Sequence, residues 1–293
     1  MELKRLNERV SYIKAAANVG VIQLENSSVA LIDSGPDEKF AAALFEMLSD
    51  YRFKISHILN THAHADHIGG NAFLQHKTGC KIMASRLEAP LIRQPLIQAA
   101  VLFSGAPISD LMNRFTMANP SNVDFFTDTS LQLDDIKIEI IDLPGHSVNQ
   151  KGFMIDDICF IADTLFSERF FSRQRLPFNY DPIAHRETLH KLETIKASKF
   201  IGGHIEPTGE PGKLISINRK NLDDALDFMR ELLKIPQPPD RIVKAFMDHF
   251  KLKKTNWEHF LYRATVNGYL SALHKKGEIS YRVLDNLPVW YRL

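Results

Sequence analysis

Cysteine is nearly absent from this 293-residue chain: Cys80 and Cys159 are the only two. A pair gives neither a disulfide framework nor a cysteine-rich zinc knuckle. Each sits in a short apolar run, so both read as buried thiols. No apolar stretch approaches the roughly 18 residues that a membrane-crossing helix needs. The opening residues, MELKRLNERVSYIK, hold no apolar signal-peptide core and no evident organelle-targeting segment. The expectation is a soluble, reduced, cytoplasmic protein with no membrane partner. Net charge is lacking too, with 36 Lys plus Arg against 35 Asp plus Glu, so overall charge selects no partner. Internal repeats and low-complexity segments are absent.

What is present is an ordinary globular balance, 44% hydrophobic and 24% charged. The even charge hides an asymmetry. Residues 213–293 carry 15 basic and 9 acidic side chains, and the remainder is mildly acidic. The sequence therefore divides into a body, residues 1–212, and a basic tail, residues 213–293.

Strand-like runs in the body cover Val19–Leu24, Val29–Ile32, Ile55–Leu59, Lys81–Met83, Leu131–Leu133, Ile136–Ile141, Phe153–Ile155, Ile158–Ile161 and Phe200–Ile201. Phe40, Leu44, Phe45 and Leu48 recur at helical spacing over Glu38–Asp50. Residues 86–127 are rich in Pro, Phe, Met and Leu but have no clean period, which predicts broken helices and loops, a cap. The tail reads as helices over Asn221–Leu233, 240–250 and 257–275. A hairpin of Ile279–Leu284 with Val289–Leu293 follows, a small winged-helix-like order of elements.

The densest chemistry is in residues 61–67, THAHADH, which place His62, His64, Asp66 and His67 within six positions. A loop of this kind folds several donors around one point, and one zinc takes about four N, S or O donors. Adjacent Asp66 and His67 suit two neighbouring ions, which hydrolases hold roughly 3.5–4 Å apart. Such a pair needs further imidazoles and a carboxylate. His146, Asp163 and His204 each follow a strand-like run, and so does Asp33, which places all of them on loops at strand ends. Taken singly, each also has a plainer reading: a surface or core histidine for His146 and His204, a turn or helix-cap carboxylate for Asp163. His57, His76, His185, His190, His249, His259 and His274 lack that setting and read as ordinary strand, surface or helix histidines.

THAHADH resembles the HxHxDH signature of the metallo-β-lactamase fold superfamily. Ile32-Asp33-Ser34-Gly35, Gly145-His146, Asp163 and Gly203-His204 follow that family's order, over about residues 15–210. The resemblance implies an α/β fold, an αββα four-layer sandwich, here followed by the small winged-helix-like domain. It implies that His62, His64 and His146 hold one divalent ion, that Asp66, His67 and His204 hold a second, and that Asp163 bridges them. Zinc is the usual occupant; iron and manganese are the alternatives for such donors. Asp66 and Asp33 are then the candidate catalytic carboxylates, Asp66 orienting a metal-bridging hydroxide and Asp33 anchoring the histidine loop.

That chemistry makes the expected activity metal-dependent hydrolysis by the bridging hydroxide. The leading substrate class is a small-molecule ester, thioester or lactone. The alternative is cleavage of single-stranded RNA, which one branch of the tailed β-lactamase-like proteins performs and which a basic tail would suit. Phe166, Phe170, Phe171, Phe178 and Tyr180, with Phe103, Phe115, Phe125 and Phe126 of the cap, are expected to wall an apolar pocket and so favour the small molecule. Relatives of this kind are often homodimers, and a dimer is carried as an expectation for this chain.

Overall fold

The computed structural model describes residues 1–127, 129–253 and 255–293. Its first sheet takes seven strands in chain order: β1 (Leu3–Arg5), β2 (Val10–Ile13), β3 (Val19–Gln23), β4 (Ser28–Ile32), β5 (Lys54–Leu59), β6 (Lys81–Ala84) and β7 (Asp124–Phe125). Neighbours are antiparallel up to β4 and parallel from there on. The parallel crossovers run through helices α1 (Glu38–Asp50), α2 (Ala65–Ile68), α3 (Asn71–Thr78), α4 (Ala89–Arg93) and α5 (Leu96–Phe103). The second sheet is built from β8 (Ser130–Leu133), β9 (Ile136–Asp142), β10 (Lys151–Ile155), β11 (Ile158–Phe166) and β12 (Lys199–His204), in the spatial order β12-β11-β10-β9-β8. Helices α6 (Glu168–Gln174) and α7 (Pro182–Leu192) connect β11 to its parallel neighbour β12.

Both faces of each sheet are covered. Along β4, Ala30 and Ile32 face the second sheet, where they meet Ile138, Phe153, Phe160 and Ile201. Val29 and Leu31 face the other way, against Ala41, Leu44 and Leu48 of α1. A strand buried on both sides needs an unbroken apolar run rather than an alternating one, and VALI supplies it. The outer face of the second sheet carries Cys159, Ile161 and Phe200 under α7 and the tail. The order of layers is helix, sheet, sheet, helix, as expected. Both cysteines are buried and free.

The tail comprises α8 (Gly212–Leu232), α9 (Pro239–His249), α10 (Asn256–Lys275) and the hairpin β13 (Ile279–Leu284) with β14 (Leu287–Arg292). Asp285 and Asn286 turn the hairpin with φ of 49° and 63°, which suits the right-handed twist of a two-residue turn. Leu222, Leu226 and Met229 of α8, Phe246 of α9 and Val266, Tyr269 and Leu273 of α10 share one core with Leu143, Ile161 and Leu189 of the body. Apolar packing is therefore continuous across residues 212 and 213.

Some elements differ from expectation for identifiable reasons. Strand β2 reads poorly because all four of its residues are buried, Ser11 among them, so it does not alternate. Helix α7 buries His185 and Thr188 beside Leu189 and Leu192, a mixed stripe. Helix α8 starts nine residues before the expected Asn221 because its early turns bury Asn218. That amide donates to the Phe166 carbonyl and accepts from the Phe166 N–H, both at 2.9 Å. A polar residue thus occupies a core-facing position and ties the tail to the end of β11. Among the described residues, no helix is long and apolar enough to cross a membrane.

Candidate metal centre

Four segments bring the donors together: the histidine loop after β5, His146 between β9 and β10, Asp163 within β11 rather than on a loop at a strand end as the sequence predicts, and His204 at the end of β12. Strand β5 runs into Asn60-Thr61, and the histidine loop then enters α2. Strand β4 is followed at once by Asp33, a left-handed residue with φ of 62°. Its Oδ1 accepts from the Thr61 N–H and its Oδ2 from the Thr61 hydroxyl, each at 2.8 Å, and Oδ2 also accepts from His67 Nδ1 at 2.7 Å. Asp33 thus anchors the histidine loop and fixes one tautomer of His67.

The other rings are held in the same way. Thr61 Oγ1 lies 2.9 Å from His62 Nδ1, the Phe178 carbonyl 2.9 Å from His146 Nδ1, and the Ala16 carbonyl 2.7 Å from His204 Nδ1. Each contact occupies the outer nitrogen and leaves Nε2 facing the centre. That is the arrangement in which a ligating histidine donates its far N–H to an oxygen. At the centre, His64 Nδ1 is 3.0 Å from His62 Nε2 and 2.9 Å from His146 Nε2. His204 Nε2 is 3.1 Å from Asp163 Oδ2 and 3.3 Å from Asp66 Oδ2. Three overlapping groups result: His62, His64 and His146; His62, His67 and Asp163; Asp66, His67 and His204.

These donors suit a cation. His67 Nε2 and Asp163 Oδ1 are buried, face each other at 3.2 Å, and make no hydrogen bond. With the His67 proton directed at Asp33, two lone-pair atoms are left aimed at one point. Buried polar atoms without partners are rare and call for an explanation; a shared cation is the simplest one. Electrostatics divides the cluster in two. Burial pushes His62 and His146 well below the ordinary imidazole range and His64 down to about 4, the neutral form that binds metal. Burial opposes charge at His67 and His204 as well, yet nearby carboxylates outweigh it. Asp163, Asp33 and Asp66 hold His67 well above its usual range, and Asp163 with Asp66 raises His204 to about 10. The carboxylate-rich end therefore attracts positive charge, which a cation supplies where His67 Nε2 is left unprotonated.

Close backbone approach completes the centre. A Cβ on Gly203 would stand 2.2 Å from Asp163 Oδ1 and 2.8 Å from His67 Cε1, and one on Gly145 would run into the backbone of His185. The two Gly-His pairs are thus required by packing. His185 is a core histidine, between Asn179 Oδ1 at 2.5 Å and the Thr164 carbonyl at 2.9 Å.

The aromatic wall is only partly as expected. Phe166 stacks on His204 at 5.8 Å, Phe170 lies 4.5 Å from Phe166, and Phe178 meets His64 edge-on at 5.5 Å. Phe171 extends this group through Phe170. Other members go elsewhere. Phe126 packs on Phe153 between the sheets, Phe125 lies under Arg86, and Tyr180 is exposed. Phe103 and Phe115 reach across to Phe260 and Trp257 of α10. A concavity of about 670 Å³ between the end of α7 and the start of α8 lies at the opposite end of β12 from His204 and takes no part in the centre.

One polar residue of the site escapes the sequence reading. Glu88, 1% exposed, accepts from the Ala63 N–H at 3.0 Å, the Ser147 hydroxyl at 2.6 Å and the Asn149 N–H at 2.9 Å. Burial raises its carboxyl above the ordinary range, against the downward pull of those three bonds. Its only signal in the sequence is an acidic residue inside the apolar, proline-flanked run LEAPLI.

Fold and donor set together define a class. A family model of the metallo-beta-lactamase superfamily matches residues 14–204, and the chain belongs to that superfamily. Two solved structures match the whole chain: a beta-lactamase domain protein from Burkholderia ambifaria and a metallo-beta-lactamase family protein from Thermus thermophilus. The first has a TM-score of 0.75 at 14% identity over 94% of its length, the second 0.72 at 16% over 98%. At such identities they share the fold alone. Among curated proteins, a hydroxyacylglutathione hydrolase of Rhizobium etli is 30% identical over 154 residues, 51% of this chain and 48% of that protein. The hydroxyacylglutathione hydrolase GloC of Haemophilus influenzae is 27% identical over 151 residues, 51% of this chain and 66% of that one. The chain spans about half the length of the Rhizobium relative.

Proposed function

We propose that the protein is a hydrolase that binds two divalent ions, zinc in the first instance, and cleaves a small-molecule thioester. One observation carries the reading: donors from four segments converge while hydrogen bonds occupy the outer nitrogens of His62, His67, His146 and His204. His62, His64 and His146 would hold one ion, Asp66, His67 and His204 the other, and Asp163 would lie between them. Bound there, the ions supply Lewis acidity toward a carbonyl and bring the pKa of coordinated water near 7.

The chain's own residues do the rest. Asp66, its side chain 40% exposed, and His204 border the open side of the centre, whereas His62, His67 and Asp163 are closed off. Substrate therefore approaches past Asp66, whose carboxylate can accept and orient a proton there. Phe166, Phe170 and Phe178 exclude water from the flank and offer apolar contact to an acyl chain. Asp33 is a positioning residue, acting through Thr61 and His67. We further propose that residues 213–293 form a winged-helix-like unit that shapes the cleft, because α10 meets the cap at Phe103 and Phe115.

The thioester is favoured over other electrophiles by the likeness to hydroxyacylglutathione hydrolases. The test is a parallel assay of a hydroxyacylglutathione, simple lactones and short single-stranded RNA. Thioester turnover exceeding the others by at least about tenfold, and lost in Asp66→Asn, supports the reading. Preferential RNA cleavage overturns it.

A further inference from the structure

We propose that Glu88 sets the geometry of the three-histidine half of the centre, by holding on one carboxylate both loops that supply its imidazoles. The inference rests on the two-ion reading above.

Glu88 comes from neither loop. It follows β6, where the Ser85 carbonyl accepts from the N–H groups of Glu88 and Ala89 and starts α4. From there its side chain reaches between two segments far apart in sequence. Oε2 takes the N–H of Ala63, the residue between His62 and His64. Oε1 takes the Ser147 hydroxyl, next to His146, and the Asn149 N–H. The three rings that meet at 2.9–3.0 Å around His64 Nδ1 thus hang from one carboxylate on a third element.

The chemistry argues for position rather than stability. Burying a carboxylate costs several kcal/mol, and good partners only offset that loss, so Glu88 adds little net stability beyond satisfying those three donors. What a carboxylate alone offers is two acceptor oxygens a fixed distance apart, each able to take backbone N–H groups. The His146 loop has other ties, from the Tyr180 N–H to the His146 carbonyl, the Asp181 N–H to the Gly145 carbonyl and the Lys151 N–H to the Thr61 carbonyl. Loss of Glu88 should leave the loop folded but free to shift.

Glu88→Gln keeps the shape and exchanges one acceptor for a donor, so one loop loses its hold. Ser147→Ala removes a single bond and leaves both backbone bonds. The measurements are zinc affinity by competition with a chelating dye, the visible absorption of cobalt-loaded protein, and melting of the metal-free forms. Glu88→Gln is expected to weaken one of two sites by roughly 10–100-fold, the range for groups that orient ligands, and to alter the cobalt spectrum. The other site should stay within about threefold of the wild type. Ser147→Ala should change the same site in the same direction by less. Wild-type affinity at both sites with a lower melting temperature would make Glu88 a structural staple and overturn the proposal. If the wild-type chain takes up one ion, the two-ion reading fails by itself; Glu88 is then judged on whether Glu88→Gln weakens that ion. No uptake at all overturns both.

Discussion

The Asp33 carboxylate and the His67 imidazole meet at 2.7 Å in near-complete burial. A strand-end residue from β4 thereby decides which nitrogen of a histidine on α2 faces the centre. Asp33→Asn would leave one acceptor oxygen, for either the Thr61 N–H or the Thr61 hydroxyl with His67 Nδ1, so that either the loop loses a tie or the His67 ring its fixed tautomer. Zinc affinity is expected to fall roughly 10–100-fold, with a matching loss of thioesterase activity, as read by metal content after dialysis and by kcat/KM. Retention of two ions at wild-type affinity would mean that His67 is oriented by other contacts.

Gly203 sits where no Cβ fits, 2.2 Å from Asp163 Oδ1 and 2.8 Å from His67 Cε1. Gly203→Ala must push Asp163, His67 or the end of β12 aside. Overpacking of this kind typically costs about 1–3 kcal/mol, and the atoms displaced are donors. The variant should melt lower and hold metal at least tenfold more weakly. A stable variant with full metal content would place the Asp163 carboxylate elsewhere than described.

His67 Nε2 and Asp163 Oδ1 face each other at 3.2 Å without a hydrogen bond, a contact that a cation between them would relieve. An ion that binds only the folded chain stabilises it by mass action, about 2.7 kcal/mol per site at a free concentration 100 times the Kd. Chelator-treated protein should therefore melt several degrees lower, lose activity and recover both on addition of zinc. Equal melting curves with and without metal would contradict a cation between these groups.

Much of the centre is legible in the sequence because each donor segment comes soon after a strand-like run. THAHADH, Pro-Gly-His and Gly-Gly-His also keep their donors within a few residues of the glycine or strand end that places them. Glu88 could not be read, because its partners Ala63, Ser147 and Asn149 contribute two backbone N–H groups and one hydroxyl, and none of these announces a site. Phe126 was misplaced for a related reason. Its apolar character fits the layer between the sheets as well as a pocket wall, and only the fold distinguishes them. Helix α8 was read short because Asn218 bonds to the Phe166 backbone, a contact that periodicity cannot anticipate.

The hairpin after α10 is tied down by charge. Arg230 donates to both oxygens of Glu278, at 2.6 Å and 3.2 Å, and that bond, with the guanidinium charge, holds the Glu278 carboxyl below its ordinary range. The folded-state value is the lower one. The stabilisation is therefore complete above the unfolded-chain value near about 4.3 and is lost as pH falls through the folded value. Both groups are partly exposed, so the effect is below about 1 kcal/mol. Urea unfolding should place Glu278→Gln below the wild type by that margin at pH 7, with the gap closing as the pH falls below the unfolded-chain value. A gap that stays constant with pH would assign the loss to packing rather than charge.

Trp257 of α10 stacks on Phe115 of the cap at 5.5 Å and 9°, beside Phe103 against Phe260 at 5.3 Å and the Asn256 amide donating to Asp110 at 2.6 Å. Cap residues 104–117 contain little regular structure, so these contacts across to the tail supply much of what orders them. Trp257→Ala removes the ring pair, worth about 0.5–1.5 kcal/mol beyond its buried area. Local opening of the cap should become several-fold more frequent, because such opening is governed by the few contacts that a segment makes. Native-state proteolysis should then cut within residues 104–119 several-fold faster, while metal content and the global melting temperature change little. If the cap resists protease as in the wild type, the tail does not order it, and the proposed role of residues 213–293 in shaping the cleft loses its support.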